Sequence, residues 1–413
     1  MEEARGTVVL AYSGGLDTSC ILVWLREQGF RVVAFMADLG QEEDFEKAKA
    51  KATKLGAVEV VVQDLRRELV EDFVWPAVRA GLIYEGRYLL GTALARPCIT
   101  RALISQAKRV KAGYISHGAT GKGNDQIRFE LGCYTLSTDI KIIAPWKDPA
   151  FYERFPGRPE LFQYAKTHDI PLPVTPKSPW SMDANLVHIS YESGVLEDPA
   201  AAPPSTIYQM TTNPEQAPDA PQRLTLTFRH GLPESVTMDG GDSITDPLQL
   251  FLTCNRVGAA HGVGRVDLVE NRFIGLKSRG VYETPGLTLL HAAHQDLEVL
   301  CLDREVRKIK TELSTRMSEQ VYNGFWFSPE FEYTRRCVEA SQEMVTGSVS
   351  LKVYKGNVYI EGRSAPVSLY NQELVSMDVQ GDYEPTDARG FIRLNALRLR
   401  EHQRVKAAMG EGQ

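Results

Sequence analysis

Residues 12–20 read YSGGLDTSC, two adjacent glycines and the hydroxyls of Ser13, Thr18 and Ser19 crowded around Asp17. Paired glycines let the backbone bend so that successive N–H groups point inward. The hydroxyls add donors, and a helix starting just beyond brings its positive N-terminus. Together they make an anion nest suited to a phosphate chain. Each helix-terminus contact contributes only ~0.3–1 kcal/mol, so affinity must come from many donors acting together. A Gly-rich strand-to-helix turn with no ligand would not need three flanking hydroxyls. Two other phosphate loops are excluded. GATGKGND (118–125) carries Gly-Lys without the spacing or following hydroxyl of a Walker loop, and GxGxxG is missing from the first turn.

The elements that position this loop are legible around it. TVVLAY (7–12), RVVAFMADLG (31–40), VEVVVQDL (58–65) and GYISHGAT (113–120) read as strands. Helical patterns over 18–29 and 43–56 separate the first three. Strands alternating with helices imply right-handed crossovers and a parallel α/β sheet, whose ligands bind at the carboxyl ends of the strands. Proline density rises at 145–179 and again at 199–221, the second run reading as a long surface loop. Beyond it, 224–238 and 349–362 read as hairpins turning at Gly231 and at Lys355-Gly356-Asn357, with helices near 246–260, 286–315 and 329–345. That is an α+β unit distinct from the first. A basic helix closes the chain, apolar at Leu394 and Leu397. The expected division is 1–168 for a first domain carrying the anion-binding loop, 169–365 for a second domain and 366–413 for a C-terminal segment.

The chain has 413 residues, 43% hydrophobic and 24% charged, with a formal net charge of −6. That balance offers no broad attraction to nucleic acid or to an anionic membrane surface. Six scattered cysteines without a CxxC pair argue against a zinc ribbon and for free thiols in a reducing compartment. No apolar run approaches the ~20 residues of a membrane span, and MEEARG lacks a signal-peptide core. A cytoplasmic protein is expected.

SGGLDTS resembles the pyrophosphate loop of the N-type ATP pyrophosphatases, the PP-loop superfamily of the adenine nucleotide alpha-hydrolase-like fold. The resemblance implies that ATP is held there with its α-phosphorus open to attack. YLLGTALARPC (88–98), SHGATGKGNDQIRFE (116–130), IAPWKDPAFYERFPGR (143–158), SPWSMDANLVHISYE (178–192), VENRFIGLKSRGVYETPG (269–286) and SLYNQELVSMDVQGDYEPTDARGFI (368–392) together resemble the argininosuccinate synthase family along nearly the whole chain. Such an enzyme joins citrulline to aspartate through citrullyl-AMP, releasing pyrophosphate and then AMP. Whether this chain serves arginine synthesis or nitrogen disposal stays open.

By that resemblance, Ala11, Tyr12, Ser13, Gly14, Gly15, Leu16, Asp17, Thr18 and Ser19 bind ATP, with Ala37 beside the adenine. Ser116, His117, Gly118, Ala119, Thr120, Gly121, Lys122, Gly123 and Asn124 form the other wall of that site. Thr120, Asn124 and Asp125 bind aspartate. Citrulline lies among Tyr88, Asn124, Arg128, Ser181, Ser190, Glu270 and Tyr282. Ala93 stands where the family pattern has a citrulline-contacting serine, with Thr92 beside it as a partial substitute. Loss of one hydroxyl bond costs ~0.5–1.5 kcal/mol, which weakens binding severalfold.

The residue types suit these roles. Arg128 can offer two parallel bonds to a carboxylate, Glu270 can accept from an ammonium, and Asp125 can take the amine of aspartate. His117 and His188 read as structural histidines. A dedicated general base is not required, since aligning two substrates contributes ~7–11 kcal/mol. Mg²⁺ is expected with the pyrophosphate, Asp17 helping to hold it directly or through water, with no protein metal cluster. The terminal helix resembles a subunit-crossing tail, which implies a homotetramer. Three rivals remain at this point: an ammonia-using PP-loop ligase, a tRNA-modifying PP-loop enzyme, and a nucleotide-binding regulator without chemistry.

Overall fold

The computed structural model describes residues 5–121, 123–171, 180–378 and 380–410. Lys122 and residues 172–179, the end of the proline-rich stretch, lie outside the described residues. In the first part, strands β1 (Thr7–Ala11), β2 (Arg31–Asp38), β3 (Glu59–Asp64), β4 (Tyr114–Ser116) and β5 (Lys141–Ile143) form one parallel sheet in the order β3-β2-β1-β4-β5. Helices α1 (Leu16–Glu27), α2 (Phe45–Lys54), α3 (Gly91–Arg109), α4 (Asp125–Leu136) and α5 (Arg158–Thr167) accompany it.

Side chains alternate across a strand, and both faces of this sheet are buried. Val8, Leu10, Val32, Ala34 and Met36 pack with α1, α2 and α5, while Val9, Val33 and Phe35 pack into a second core on the opposite face. That second core runs on without a break into the later part of the chain, through Leu226, Phe251, Leu290 and Val353. Residues 1–367 therefore form one compact unit.

The later part of that unit holds two antiparallel sheets. One has the order β11-β12-β7-β6, from β6 (Ser181–Ala184), β7 (Ile189–Glu192), β11 (Arg265–Asn271) and β12 (Lys277–Glu283). The other has the order β10-β9-β8-β13-β14, from β8 (Gln222–Arg229), β9 (Leu232–Met238), β10 (Ser243–Ile244), β13 (Gly347–Tyr354) and β14 (Asn357–Ser364). Helices α6 (Pro247–Ala260), α7 (Pro285–Cys301), α8 (Arg304–Tyr322) and α9 (Pro329–Ser341) pack around them.

Several expectations need correction. The helix expected over 286–315 is two, because Asp303 caps a new helix: its carboxylate accepts from the N–H groups of Glu305 (2.9 Å) and Val306 (3.2 Å). The strand expected over 113–120 pairs only at Tyr114–Ser116. The hairpin turns are His230-Gly231 and Lys355-Gly356, all four at positive φ, and Asn357 already belongs to β14. Residues 199–221 are not merely a surface loop. Ile207 is fully buried, and the buried Glu283 carboxylate accepts from the backbone N–H groups of Gln209, Met210 and Thr211. Arg128 sits on helix α4.

Residues 368–413 form a separate unit. Its main element is α10 (Pro385–Ala408), which starts six residues before Phe391 and presents Phe391, Ile392, Leu394 and Leu397 as exposed side chains. Among the described residues, no helix is long and apolar enough to cross a membrane.

Candidate active site

In the parallel sheet, β1 lies between β2 and β4, so the chain leaves it in opposite directions on its two sides. Ligands bind in the crevice that opens at such a switch point. The loop after β1 and the loop after β4 form its two walls. Gly14 takes a left-handed turn, φ +73°, and Gly15 caps α1 without a side-chain cap hydrogen bond. The first-turn N–H groups of a helix have no intrahelical partner, which makes such an N-terminus suited to an anion.

The hydroxyls brace this loop as much as they line it. Thr18 Oγ accepts from the Ser13 N–H (3.3 Å) and lies 3.1 Å from Ser13 Oγ, which in turn accepts from the Gly15 N–H (3.4 Å). Ser19 is buried and bonds the Tyr12 hydroxyl at 3.1 Å. Lys51, from α2, donates to the Gly14 carbonyl at 2.8 Å and brings a cation under the turn. Burial lowers the Lys51 pKa. Burial also raises the Asp17 carboxyl, an effect the Arg158 guanidinium partly offsets. The Ala37 carbonyl at the end of β2 accepts from Gln41 Nε2 at 2.8 Å.

On the second wall, Ser116 ends β4 and is buried. His117 is held from both sides, Nδ1 accepting from the Ala119 N–H (3.2 Å) and Nε2 lying 3.3 Å from Glu130. Gly118 lies directly against Thr18 of the first wall. The Gly121 carbonyl accepts from Gln126 Nε2 at 2.7 Å.

Beyond Gly118, the second wall borders a cavity of about 270 Å³. Ala119, Thr120, Gly123 and Asn124 of that wall line it. Seven further expected residues converge on it from six elements or loops: Tyr88, Thr92, Asp125, Arg128, Ser190, Glu270 and Tyr282. Glu270 and Tyr282 are brought together by the hairpin of β11 and β12, and the Tyr282 hydroxyl donates to Glu270 Oε2 at 2.9 Å. Burial raises the Glu270 carboxyl, against the pull of the two tyrosine hydroxyls that bond it and the Arg128 and Arg272 guanidiniums.

Two expected residues stand apart. Ala93 is 1% exposed and belongs to the core behind the cavity wall. Ser181 is exposed on edge strand β6 and does not line the cavity. Thr92 does line it, but its Oγ lies 2.9 Å from His188 Nε2 and 3.4 Å from Asp183 Oδ2.

Arg128 is also partly committed: Nε donates to the Tyr322 carbonyl (2.9 Å) and Nη1 to Asp125 (3.0 Å). Its parallel-bond edge is thus narrowed to the Nη groups. Asp125 receives Arg96 Nη2 at 2.7 Å as well. Burial pushes the Asp125 carboxyl up, but the Arg96 and Arg128 guanidiniums outweigh it and hold the pKa at about 2. His188 is wholly buried, and burial followed by the same two guanidiniums lowers it to about 3, so it is neutral at pH 7.

The sequence reading missed Arg96, which also binds Asp183 at 2.6 Å, and it missed Asp183, Arg272 and Tyr322. Arg96 is four residues after Thr92 on the same helix face, a spacing that pointed to it. Nothing local pointed to Tyr322, which is 52 residues from the Glu270 carboxylate it bonds. The cavity therefore carries both signs of charge side by side, arginines with carboxylates, which suits zwitterionic ligands.

Comparison with known proteins gives the family. Residues 7–171 match the family model described as the argininosuccinate synthase N-terminal HUP domain, and 180–402 match that of its C-terminal domain. The chain is 61% identical over 406 residues to an argininosuccinate synthase of Danio rerio, with 98% of each chain covered. It is 59% identical to one of Gallus gallus, with 100% of each covered, and 58% to one of Homo sapiens, with 98% of each covered. Matched by both family models and alike over its full length to these relatives, the chain belongs to the argininosuccinate synthase family.

Proposed function

We propose that this protein ligates L-citrulline and L-aspartate at the expense of ATP. The ureido oxygen of citrulline attacks the α-phosphorus, the bond to the β-phosphate oxygen breaks, and pyrophosphate leaves citrullyl-AMP. The α-amine of aspartate then adds to the activated carbon, loses a proton, and AMP departs with the ureido oxygen. One observation supports this reading above others: the loop from Gly118 to Asn124 touches the phosphate loop at Thr18 and also walls the amino-acid cavity. A nucleotide in the crevice and an amino acid in the cavity would meet there.

In this reading Glu270 accepts from the citrulline ammonium and the Arg128 Nη edge meets its carboxylate. Ser190, Tyr88 and Tyr282 fix the chain between. Aspartate lies against Thr120 and Asn124. Asp125, already paired with Arg96 and Arg128, orients them and is a poor acceptor for a further cation. His188, buried and neutral, bonds Thr92 and supports the wall without transferring protons. Proximity supplies the rate, and no side chain is assigned as general base.

Among the described residues no cluster of three or more His, Cys, Asp or Glu could hold a metal. Asp17 fits the role of a single ligand to an Mg²⁺ bound mainly through phosphate oxygens and water, and that ion would neutralise the departing pyrophosphate. We further assign 1–168 to ATP binding, 169–365 to the amino acids and 366–413 to assembly of a homotetramer, and place the protein in the cytoplasm.

The test is incubation with Mg-ATP and citrulline, with and without aspartate, measuring AMP, pyrophosphate and argininosuccinate together. Equal amounts of all three, only with both amino acids, are expected. ADP and phosphate would overturn the reading, and ATP binding without turnover would leave a regulator.

A further inference from the structure

The two charged groups assigned to the ends of citrulline do not stand independently. Tyr322 is the last residue of α8, and it is fully buried behind the cavity wall without lining it. Its hydroxyl donates to Glu270 Oε1 at 2.7 Å. Its carbonyl, one of the unpaired acceptors at a helix C-terminus, receives Arg128 Nε at 2.9 Å. The Arg128 guanidinium also lies over the Tyr322 ring, 5.0 Å from its centroid. The negative end of the α8 dipole thus faces that cation.

The ring is held in its turn. Tyr84 stacks on it with centroids 3.8 Å apart and planes within 8°. The Tyr84 hydroxyl donates to the carbonyl of Asn271, the residue after Glu270, at 2.7 Å. Gly324, at φ +92°, lets the chain turn away so closely that a Cβ there would stand 2.9 Å from Arg128 Cα. Burial, followed by the Glu270 charge, raises the Tyr322 phenol, which keeps its proton available to donate.

We propose that Tyr322 is a positioning residue for citrulline, holding the ammonium acceptor Glu270 through its hydroxyl and the carboxylate donor Arg128 through its carbonyl. One residue then sets the separation of the two groups that recognise an α-amino acid. Tyr282 secures the other Glu270 oxygen from within the cavity, leaving one free acceptor direction on each oxygen for the ammonium. The proposal rests on the reading that Glu270 and Arg128 receive citrulline.

Tyr322→Phe removes only the hydroxyl and keeps ring, stack and carbonyl. In full-length protein it is expected to raise the citrulline KM roughly tenfold, as loss of a hydrogen bond to a charged group does, with kcat and the ATP KM within about twofold. Glu270→Gln should raise the citrulline KM by itself. Added to Glu270→Gln, Tyr322→Phe should change that KM by less than about twofold, since its partner is already altered. Inhibition by 5-ureidopentanoate, which has no α-amine, should be the same for wild type and Tyr322→Phe. A rise in all three KM values, a fall in kcat alone, or a full tenfold effect in the Glu270→Gln background would overturn the positioning role. An unchanged citrulline KM in Glu270→Gln would instead sink the assignment of the citrulline site.

Discussion

Gly118 and Thr18 touch across the crevice at the switch point of the parallel sheet: a Cβ built on Gly118 would stand 2.9 Å from the Thr18 γ-methyl. The two walls can therefore close only because residue 118 has no side chain. Gly118→Ala forces the walls apart, and overpacking of this kind costs about 1–3 kcal/mol. ATP affinity without amino acids should fall roughly tenfold by calorimetry. Thr18→Ser, which removes the methyl and keeps the hydroxyl, should restore most of it in the double variant. Unchanged affinity in the single variant would show that ATP does not bridge these walls.

Glu270 must be ionised to accept an ammonium, and burial raises its pKa above the ordinary 4.5. As pH falls through that raised value the carboxylate protonates and citrulline binding is lost. The acid limb of kcat/KM for citrulline should therefore lie above 4.5, and Glu270→Gln should abolish it. His188, lowered to about 3, contributes no limb in that range. A limb that survives in Glu270→Gln would assign it to another group.

Thr92 and Ala93 are neighbours with opposite placements, one on the cavity wall and one in the core. Thr92→Val keeps the shape but leaves His188 Nε2 buried without its partner. It should raise the citrulline KM severalfold and cost ~1–3 kcal/mol of stability. Ala93→Ser should move the citrulline KM less than Thr92→Val does. The reverse order would mean that residue 93 reaches the substrate.

Far from the site, Lys310 and Glu298 form an ion pair at 2.7 Å with side chains only 3% and 1% exposed. Gln342 Nε2 also donates to Glu298 Oε1 at 2.7 Å. Lys310→Met strands a buried carboxylate and should cost about 3–5 kcal/mol in urea unfolding. Adding Glu298→Leu removes that charge as well and should recover most of the loss. No recovery would show that the pair contributes more than mutual neutralisation.

Local chemistry carried much of this protein in its sequence. SGGLDTS followed a β-branched run and preceded a helical pattern, so strand, turn and anion nest could be read together. Glu270 and Tyr282 flanked a Gly/Arg-rich turn, and a hairpin does bring them to hydrogen-bond distance. Short-range geometry is set by neighbouring residues, which is why these features were legible. The split at Asp303 was a local signal too, a helix-capping aspartate inside an otherwise helical pattern.

The tertiary structure alone decided which charges are spent on one another. Arg128 looked like a free guanidinium, yet its Nε goes to Tyr322 and its Nη1 to Asp125. Asp125 looked like an amine acceptor, yet Arg96 and Arg128 already neutralise it. Ala93 looked like a missing contact, yet the helix turns it into the core and its neighbour onto the wall. Tyr322 gave no sign at all. Its role comes from a helix end, a hairpin and a second helix meeting around it, and packing between such distant segments leaves no periodic mark in the residues themselves.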